Sequence, residues 1–179
     1  MSKLFDLQNK SVLLTGASKG MGLAMAQGLV NHGANVVISS RKLDQCQIAV
    51  ESINESIDQE KAYAFSCNAS SKDELNALVD FTMSKLGSIT TLVCNAGVNS
   101  FFGSMSEIDD ESYDKTMDTN VKSNHWLINM VTPSMKESGG GSIMITSSIA
   151  AFHASETLGT YSISTVSYTH LRAHETTYD

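Results

Sequence analysis

The sequence predicts a doubly wound α/β fold, with five parallel strands in the order 3-2-1-4-5 and helices on both faces of the sheet. Two observations support this prediction. Short apolar runs alternate along the chain with longer segments of helical periodicity. No linker and no internal repeat interrupts this alternation. Because parallel strands need right-handed helical crossovers, buried strands that are each separated by a helix favour a single parallel sheet.

The first two strands and two helices are visible in the first third of the chain. Residues 12–15 are predicted to form a buried strand, followed by a helix from about Met21 that stops at Gly33. Residues 35–40 contain the second strand. Apolar residues then follow at alternating intervals of three and four, which predicts one buried helix face. These residues are Leu43, Cys46, Val50, Ile53 and Ile57.

The third strand is predicted at residues 62–65, and the helix after it has a clear start and end. Ser71 and Glu74 have the spacing of a capping box, in which each residue satisfies a backbone N–H of the other. Gly87 is suited to end this helix, since glycine readily adopts the left-handed conformation found after a last turn.

The second half of the chain supplies two more strands. Residues 91–94 and 143–145 are predicted as the fourth and fifth strands. Between them we expect a long helical region from about residue 109 to residue 138. Pro133 lies inside this region and is expected to kink or shorten its last turn, because proline lacks the N–H of the helical hydrogen bond.

Composition and charge limit the functions that the chain can have. Its 179 residues are 41% hydrophobic and 17% charged, as in one globular domain, and its net charge is -7. A negative chain is a poor partner for nucleic acids or anionic membranes. The three cysteines have no paired spacing, so we expect reduced thiols, with no metal site and no disulfide framework. The polar first ten residues and the lack of a membrane span predict a cytoplasmic protein.

A glycine-rich turn follows the first predicted strand and is typical of Rossmann-like dinucleotide binding. Gly16 permits the tight strand-to-helix turn, Gly20 lets the backbone approach a pyrophosphate, and Gly22 lets helix and strand pack closely. The N-terminus of the following helix presents free N–H groups to the phosphates. The predicted cofactor contacts in this turn are Gly16, Ser18, Lys19, Gly20, Met21 and Gly22.

Further motifs make residues 8 to about 164 resemble the short-chain dehydrogenase/reductase family. The glycine spacing, led by Thr15, is similar to that of the family. So is Asn95-Ala96-Gly97 after the fourth strand, although Cys94 stands where the family has another asparagine. Asn120, Ser148 and Tyr161 also match, the tyrosine following the serine by thirteen residues. Asn68 stands in the position of an adenine-binding aspartate.

The resemblance implies an oxidoreductase that exchanges a hydride between a nicotinamide cofactor and a carbonyl or alcohol substrate. It assigns Tyr161 as the acid/base, Ser148 as the donor that positions the substrate oxygen, and Asn120 as the holder of a water relay. It also implies cofactor contacts by Asn68 and by residues 95–97. Asn68 could still accept a hydrogen bond from the adenine amino group through its amide oxygen. Full-length members of the family are expected to be homo-oligomers.

The end of the second strand favours NADP(H) over NAD(H). An acidic residue near this end would bind the ribose hydroxyls of NAD and repel a 2′-phosphate. Here the strand ends in Ser39-Ser40-Arg41, and the next carboxylate is Asp44. Arg41 can bind a phosphate with two hydrogen bonds, Ser40 can donate to it, and Lys19 adds a second cation. The alternative is that both cations are ordinary solvated surface charges.

One member of the family's catalytic set is missing. The family has a lysine four residues after the tyrosine, where its cation favours the ionised phenol and its amine holds the nicotinamide ribose. Thr165 stands in that position and carries no charge. We therefore expect carbonyl reduction to be poor. A non-catalytic dinucleotide binder is the alternative function, and another doubly wound domain such as a methyltransferase is a weaker one, which the family motifs disfavour.

The resemblance to the family is lost after Ser164. The segment that follows resembles a peptide found at the ends of many unrelated predicted proteins, which looks like translated sequencing-adaptor DNA. We therefore predict an incomplete dinucleotide-binding domain at residues 1–164 and a foreign or disordered tail at residues 165–179. The ordered part is expected to end near Tyr161, without the last strands of the family.

Overall fold

The computed structural model describes residues 5–153 and 155–171, and its strands form one parallel sheet. The strands lie in the order β3-β2-β1-β4-β5, and all four neighbouring pairs are parallel. This confirms the predicted topology. The strands are β1 (Ser11–Thr15), β2 (Asn35–Ser40), β3 (Ala62–Ser66), β4 (Thr91–Cys94) and β5 (Ser142–Ile145).

Helices connect these strands and cover both faces of the sheet. They are α1 (Gly20–Asn31), α2 (Leu43–Ile57), α3 (Lys72–Leu86), α4 (Asp110–Met117), α5 (Ser123–Glu137), α6 (Gly159–Val166) and α7 (Tyr168–Leu171). A π-helical turn (Asp118–Lys122) joins α4 to α5, and a short 3₁₀ turn (Ile149–Ala151) follows β5. No helix among the described residues is long and apolar enough to cross a membrane.

Alternate residues of the central strands point into two separate apolar cores. Val12 and Leu14 of β1 pack with residues of α1 and α2, whereas Leu13 packs with residues of α3 and α5. Strand β2 divides in the same way. A strand that is buried on both faces cannot alternate apolar with polar residues, which explains the continuous apolar runs in the sequence.

Strand β5 departs from the prediction of five buried strands. Ser142 and Met144 are exposed, and Ile143 and Ile145 are only half-buried. The reason is its place at the edge of the sheet, where β4 is its one neighbour among the described strands. Its apolar sequence predicted a strand correctly but not the degree of burial.

Two local predictions are also corrected. Helix α5 continues past Pro133 to Glu137, so the proline does not shorten it. The carbonyl that loses its helical donor belongs to Asn129, which is an exposed residue. The capping box is only half-formed. Ser71 Oγ accepts from the Glu74 N–H at 3.3 Å, but Glu74 Oε2 accepts from the Asn68 N–H at 2.8 Å instead of that of Ser71.

The described chain does not end near Tyr161 as expected. Helix α6 continues to Val166, α7 follows it, and both Thr165 and Tyr168 are buried. The segment therefore packs on the domain as far as Leu171. Residues 172–179 of the predicted tail lie outside the described residues. The proposed boundary at residue 165 stays a prediction.

Candidate functional site

The glycine-rich turn lies at the carboxyl end of β1, where it leads into the N-terminus of α1. Gly16 and Gly20 have φ angles of +66° and +58°, in the left-handed region that favours glycine. A Cβ at Gly16 would lie 2.8 Å from the Ala96 Cα, and one at Gly22 would collide with the Gly16 carbonyl oxygen. A Cβ at Gly20 would meet nothing within 4 Å. Gly16 and Gly22 therefore allow close packing, whereas Gly20 faces open space.

Thr15 and Asn95 fix this turn to the neighbouring strands. Thr15 Oγ1 accepts hydrogen bonds from the N–H groups of Asn95 and Ala96, each at 3.1 Å. Asn95 Nδ2 donates to the Gly16 carbonyl at 2.9 Å, and its Oδ1 accepts from Thr146 Oγ1 at 3.1 Å. The Asn95 side chain thus connects the turn to Thr146 at the end of β5. Its predicted contact with the cofactor stays a prediction. Sequence reasoning missed the role of Thr15, although its place directly before Gly16 was a signal.

Three positively charged side chains lie at the end of β2 and in the glycine-rich turn. Arg41, Lys42 and Lys19 are all exposed, and none of them pairs with a carboxylate of the described residues. Ser40 is half-buried, and its Oγ lies 3.1 Å from Cys46 Sγ and accepts from the Lys42 N–H at 3.4 Å. Lys42 is a third cation that sequence reasoning did not single out. Its position next to Arg41 could have indicated it.

Asn68 lies on the surface after β3, as a residue that contacts adenine should. Its Oδ1 accepts from the Ser70 N–H at 3.2 Å, so one of the two lone pairs of this oxygen is already used. Ser70 Oγ lies 2.8 Å from Thr119 Oγ1, which ties this loop to the π-helical turn. The adenine contact of Asn68 stays a prediction.

Asn120 is fully buried in the π-helical turn and joins three parts of the chain. Its Oδ1 accepts from the Val98 N–H at 2.8 Å, and its Nδ2 donates to the Val98 carbonyl and to Ser164 Oγ, each at 2.9 Å. The turn is therefore connected to the loop after β4 and to α6. Single π-helical turns inside α-helices occur frequently at functional sites.

Ser148 and Tyr161 lie on the segments that follow β5, but their side chains do not bond to each other among the described residues. Ser148 Oγ accepts from the Ala150 N–H at 3.2 Å and so caps the 3₁₀ turn. Tyr161 is half-buried in the first turns of α6, and Ser164 Oγ donates to its backbone carbonyl at 2.7 Å. Ser164 thus bridges the backbone of Tyr161 and the side chain of Asn120.

Thr165 fills the expected lysine position without supplying a charge. It is buried, and its Oγ1 donates to the Ser162 carbonyl at 3.1 Å. Tyr168 lies one turn further along the chain, where burial and the nearby Tyr161 raise the pKa of its phenol. Within residues 5–153 and 155–171, no group of three or more His, Cys, Asp or Glu side chains could hold a metal ion.

Comparisons with known sequences agree with this geometry. A family model for the short chain dehydrogenases matches residues 10–175. The human protein dehydrogenase/reductase SDR family member 4 is 37% identical over 167 residues, which are 92% of this chain and 58% of the human protein. Its Caenorhabditis elegans counterpart is 34% identical over 157 residues, or 87% of this chain and 60% of the worm protein. The chain thus spans less than two thirds of these relatives.

Solved structures show the same fold. A 7α-hydroxysteroid dehydrogenase, complexed with NADH and 7-oxo glycochenodeoxycholic acid, aligns with a TM-score of 0.88 at 32% identity. That alignment covers 93% of this chain and 64% of the dehydrogenase. A metagenomic short-chain oxidoreductase in complex with NADP aligns with a TM-score of 0.86 at 27% identity, over 92% of this chain and 74% of its own. Two proteins with this fold therefore hold two different nicotinamide cofactors.

Proposed function

This chain belongs to the short-chain dehydrogenase/reductase family. We propose that it binds NADP(H) in preference to NAD(H). The bound nicotinamide supplies the hydride that is exchanged with a carbonyl or alcohol carbon of a small molecule. The protein acts in the cytoplasm. Its reduction of carbonyls is weak because Thr165 stands where the family has a catalytic lysine.

The observation that carries the proposal is the open glycine turn with unpaired cations beside it. Gly20 faces open space at the N-terminus of α1, which suits the approach of a pyrophosphate. Arg41 and Lys19 are exposed and free of carboxylate partners in the described part of the chain. No acidic residue ends β2 to repel a 2′-phosphate. The residues present therefore fit NADP.

The chain's own residues orient the substrate and deliver a proton. Tyr161 gives the proton to the substrate oxygen, and Ser148 donates a hydrogen bond to the same oxygen. For this purpose Ser148 Oγ keeps its O–H available, since it acts as an acceptor toward Ala150. Asn120 holds the loop after β4 against α6 through Ser164, and so keeps Tyr161 in place.

A second function, binding of the dinucleotide without catalysis, is favoured by Thr165. Its hydroxyl is turned to the Ser162 carbonyl, and the residue is only 3% exposed. No charge therefore reaches Tyr161 from this position. Positioned acid/base groups contribute about 10²–10⁴-fold to rate, and much of this factor depends on the missing cation.

Titration calorimetry with NADPH and NADH at matched salt tests the cofactor preference. We expect NADPH to bind more tightly, and Arg41→Ala to remove most of the difference. A charge-assisted pair of this kind contributes roughly 1.5–3 kcal/mol, or about ten- to a hundred-fold in affinity. Lys115→Ala, which removes an exposed cation from α4, is the control and should change neither affinity. Equal affinities in the unmodified chain would refute the preference.

Turnover of a panel of ketones and aldehydes separates the two functions. The unmodified chain should consume NADPH slowly or not at all. Thr165→Lys alone should restore little, because the lysine would enter a packed and buried position. Robust turnover that Tyr161→Phe abolishes would show that Thr165 is tolerated, and would exclude the non-catalytic function.

A further inference from the structure

Helix α6 carries Tyr161 in its first turn, yet this turn has no side-chain cap. Leu158, the residue before the helix, cannot accept a hydrogen bond through its side chain, and the first turn contains no acidic residue. The Ser162 N–H makes a helical bond to the Leu158 carbonyl at 2.8 Å. A helix of eight residues without a cap frays readily unless other parts of the chain hold it. The position of Tyr161 therefore depends on contacts from outside the helix.

The segment after β4 supplies such contacts at the start of α6. The Gly103 N–H donates to the Thr157 carbonyl at 3.1 Å, and Gly103 pairs with Leu158 as a single parallel bridge. Two residues further along, the Met105 side chain reaches the first residues of the helix. Both sides of this contact lie within the described residues.

Met105 packs directly against the backbone of Gly159, the first residue of α6. A Cβ at Gly159 would collide with Cγ and Sδ of Met105, so the glycine leaves the space that the thioether fills. The Met105 Sδ also accepts a hydrogen bond from Thr160 Oγ1 at 3.3 Å. Because a thioether sulfur is a weak acceptor, packing is the larger part of this contact. Methionine suits the position, since its flexible side chain fills irregular gaps.

We propose that Met105 is a positioning residue for Tyr161, and that it acts by packing its thioether against Gly159. This role rests on the proposed function, in which Tyr161 gives a proton to the substrate oxygen. Asn120 holds α6 through Ser164, three residues after the tyrosine. Met105 holds the helix two residues before it. Tyr161 is thus fixed from both sides, as a group that transfers a proton has to be.

Fluorine NMR of the chain labelled with fluorotyrosine, together with amide hydrogen exchange, tests the proposal without the need for turnover. Tyr161→Phe assigns the Tyr161 resonance. In Met105→Ala this resonance should move toward that of free fluorotyrosine, and the Ser162 amide should exchange about ten-fold faster, because the first turn opens more often. Met105→Leu nearly conserves the side-chain volume, so the resonance should stay in place and the exchange rate within about two-fold.

Met144→Ala is the matched control, since Met144 is exposed to the same degree (47%, against 44% for Met105) but lies on β5. It should change neither measurement. The proposal is overturned if Met105→Ala leaves the Tyr161 resonance and the Ser162 exchange unchanged, or if Met105→Leu perturbs them as much as alanine does. It is also overturned if the amides of β1 accelerate equally, since the whole domain is then destabilised. A chain that binds no NADPH refutes the proposed function instead, and leaves both measurements possible.

Gly159→Ala tests the same contact from the side of the helix. Its methyl group would displace the Met105 thioether, so the Tyr161 resonance should shift. The shift should be much smaller when Met105→Ala is also present, because the space is then empty. Equal shifts with and without the Met105 side chain would mean that the two residues do not interact, which overturns the proposal. If Met105→Ala fails to fold, an unshifted Tyr161 resonance in Gly159→Ala alone overturns it.

Discussion

The proposed cofactor half of the molecule, built on β1 and β2, is more fully buried than the proposed catalytic half, built on β5 and α6. All five residues of β1 are buried, whereas none of the four residues of β5 is. The turn after β1 is held by hydrogen bonds from Asn95 and Ala96, which follow the end of β4. The segments after β5 are joined to the rest by several separate hydrogen bonds, among them that of Asn120 Nδ2 to Ser164 Oγ and that of the Gly103 N–H to the Thr157 carbonyl.

The two functions that we propose for the site depend on different kinds of structure. A phosphate is bound mainly by backbone geometry and by a helix N-terminus, which a short stretch of sequence can encode. Acid/base catalysis needs side chains from separate segments to be held in a fixed relation to each other. Nucleotide binding should therefore survive damage to the catalytic half, whereas catalysis should not survive damage to the cofactor half.

The largest effect is expected in the cofactor half, from Gly22→Ala. The new Cβ would collide with the Gly16 carbonyl and the Ala17 Cα, which are backbone atoms that cannot easily move away. Overpacking costs typically 1–3 kcal/mol, and we expect about 3 kcal/mol in the free energy of unfolding, with NADPH binding lost. Urea denaturation and calorimetry measure the two effects.

Gly28→Ala is the matched control on the same helix. A Cβ at Gly28 meets nothing within 4 Å, so alanine should stabilise α1 by about 0.5–1 kcal/mol and leave binding intact. If Gly22→Ala and Gly28→Ala change the free energy of unfolding and NADPH binding equally, Gly22 does not pack closely against the turn.

A smaller effect is expected in the catalytic half, from Asn120→Ala. The substitution leaves the N–H and carbonyl of the half-buried Val98 without their partner, which costs about 2 kcal/mol. Helix α6 also loses the hydrogen bond from Asn120 to Ser164, so any turnover should fall below that of the unmodified chain. NADPH affinity should change less than two-fold. Asn129→Ala, an exposed position on α5, should cost about 0.5 kcal/mol or less.

Most of the fold could be predicted from the sequence, because apolar runs and their spacing directly reflect burial. The order of the strands followed from the alternation of strands and helices, and the structure confirmed it. The burial of β5 could not be predicted, since a run such as Ile143-Met144-Ile145 has the same composition in a central strand and at an edge. Edge position is a property of the whole sheet.

The motifs indicated a set of candidate site residues, which stay predictions, but they did not indicate the hydrogen bonds that connect these residues. The motifs indicated Asn95 and Asn120, yet their hydrogen bonds reach residues that lie far away in the chain, such as Thr146 and Ser164. The same limit applies to Glu74, whose partner proved to be Asn68 and not Ser71. Side-chain hydrogen bonds depend on tertiary placement, which no local pattern contains.

Strand β4 joins the two halves, and Cys94 at its end offers the mildest test of how well that junction is enclosed. Burial raises the pKa of the Cys94 thiol from 9.0 to about 12. Between these pH values the unfolded chain releases the thiol proton whereas the folded chain retains it. The free energy of unfolding should therefore be unaffected by this group below about pH 9 and fall above it, by at most about 1.4 kcal/mol per pH unit.

Denaturation of the unmodified chain and of Cys94→Ala, compared at several pH values from about 8 to 10.5, isolates this contribution. Other groups also titrate in this range, but they are common to both proteins, so the difference between the two slopes belongs to Cys94. The alanine variant should lose stability at pH 8, because it leaves a small cavity at the carboxyl end of β4. Its stability should then fall less steeply with rising pH than that of the unmodified chain. If the free energies of unfolding of the two proteins change in parallel with pH, solvent reaches the Cys94 thiol. The solvent exposure seen at β5 would then extend to the end of β4.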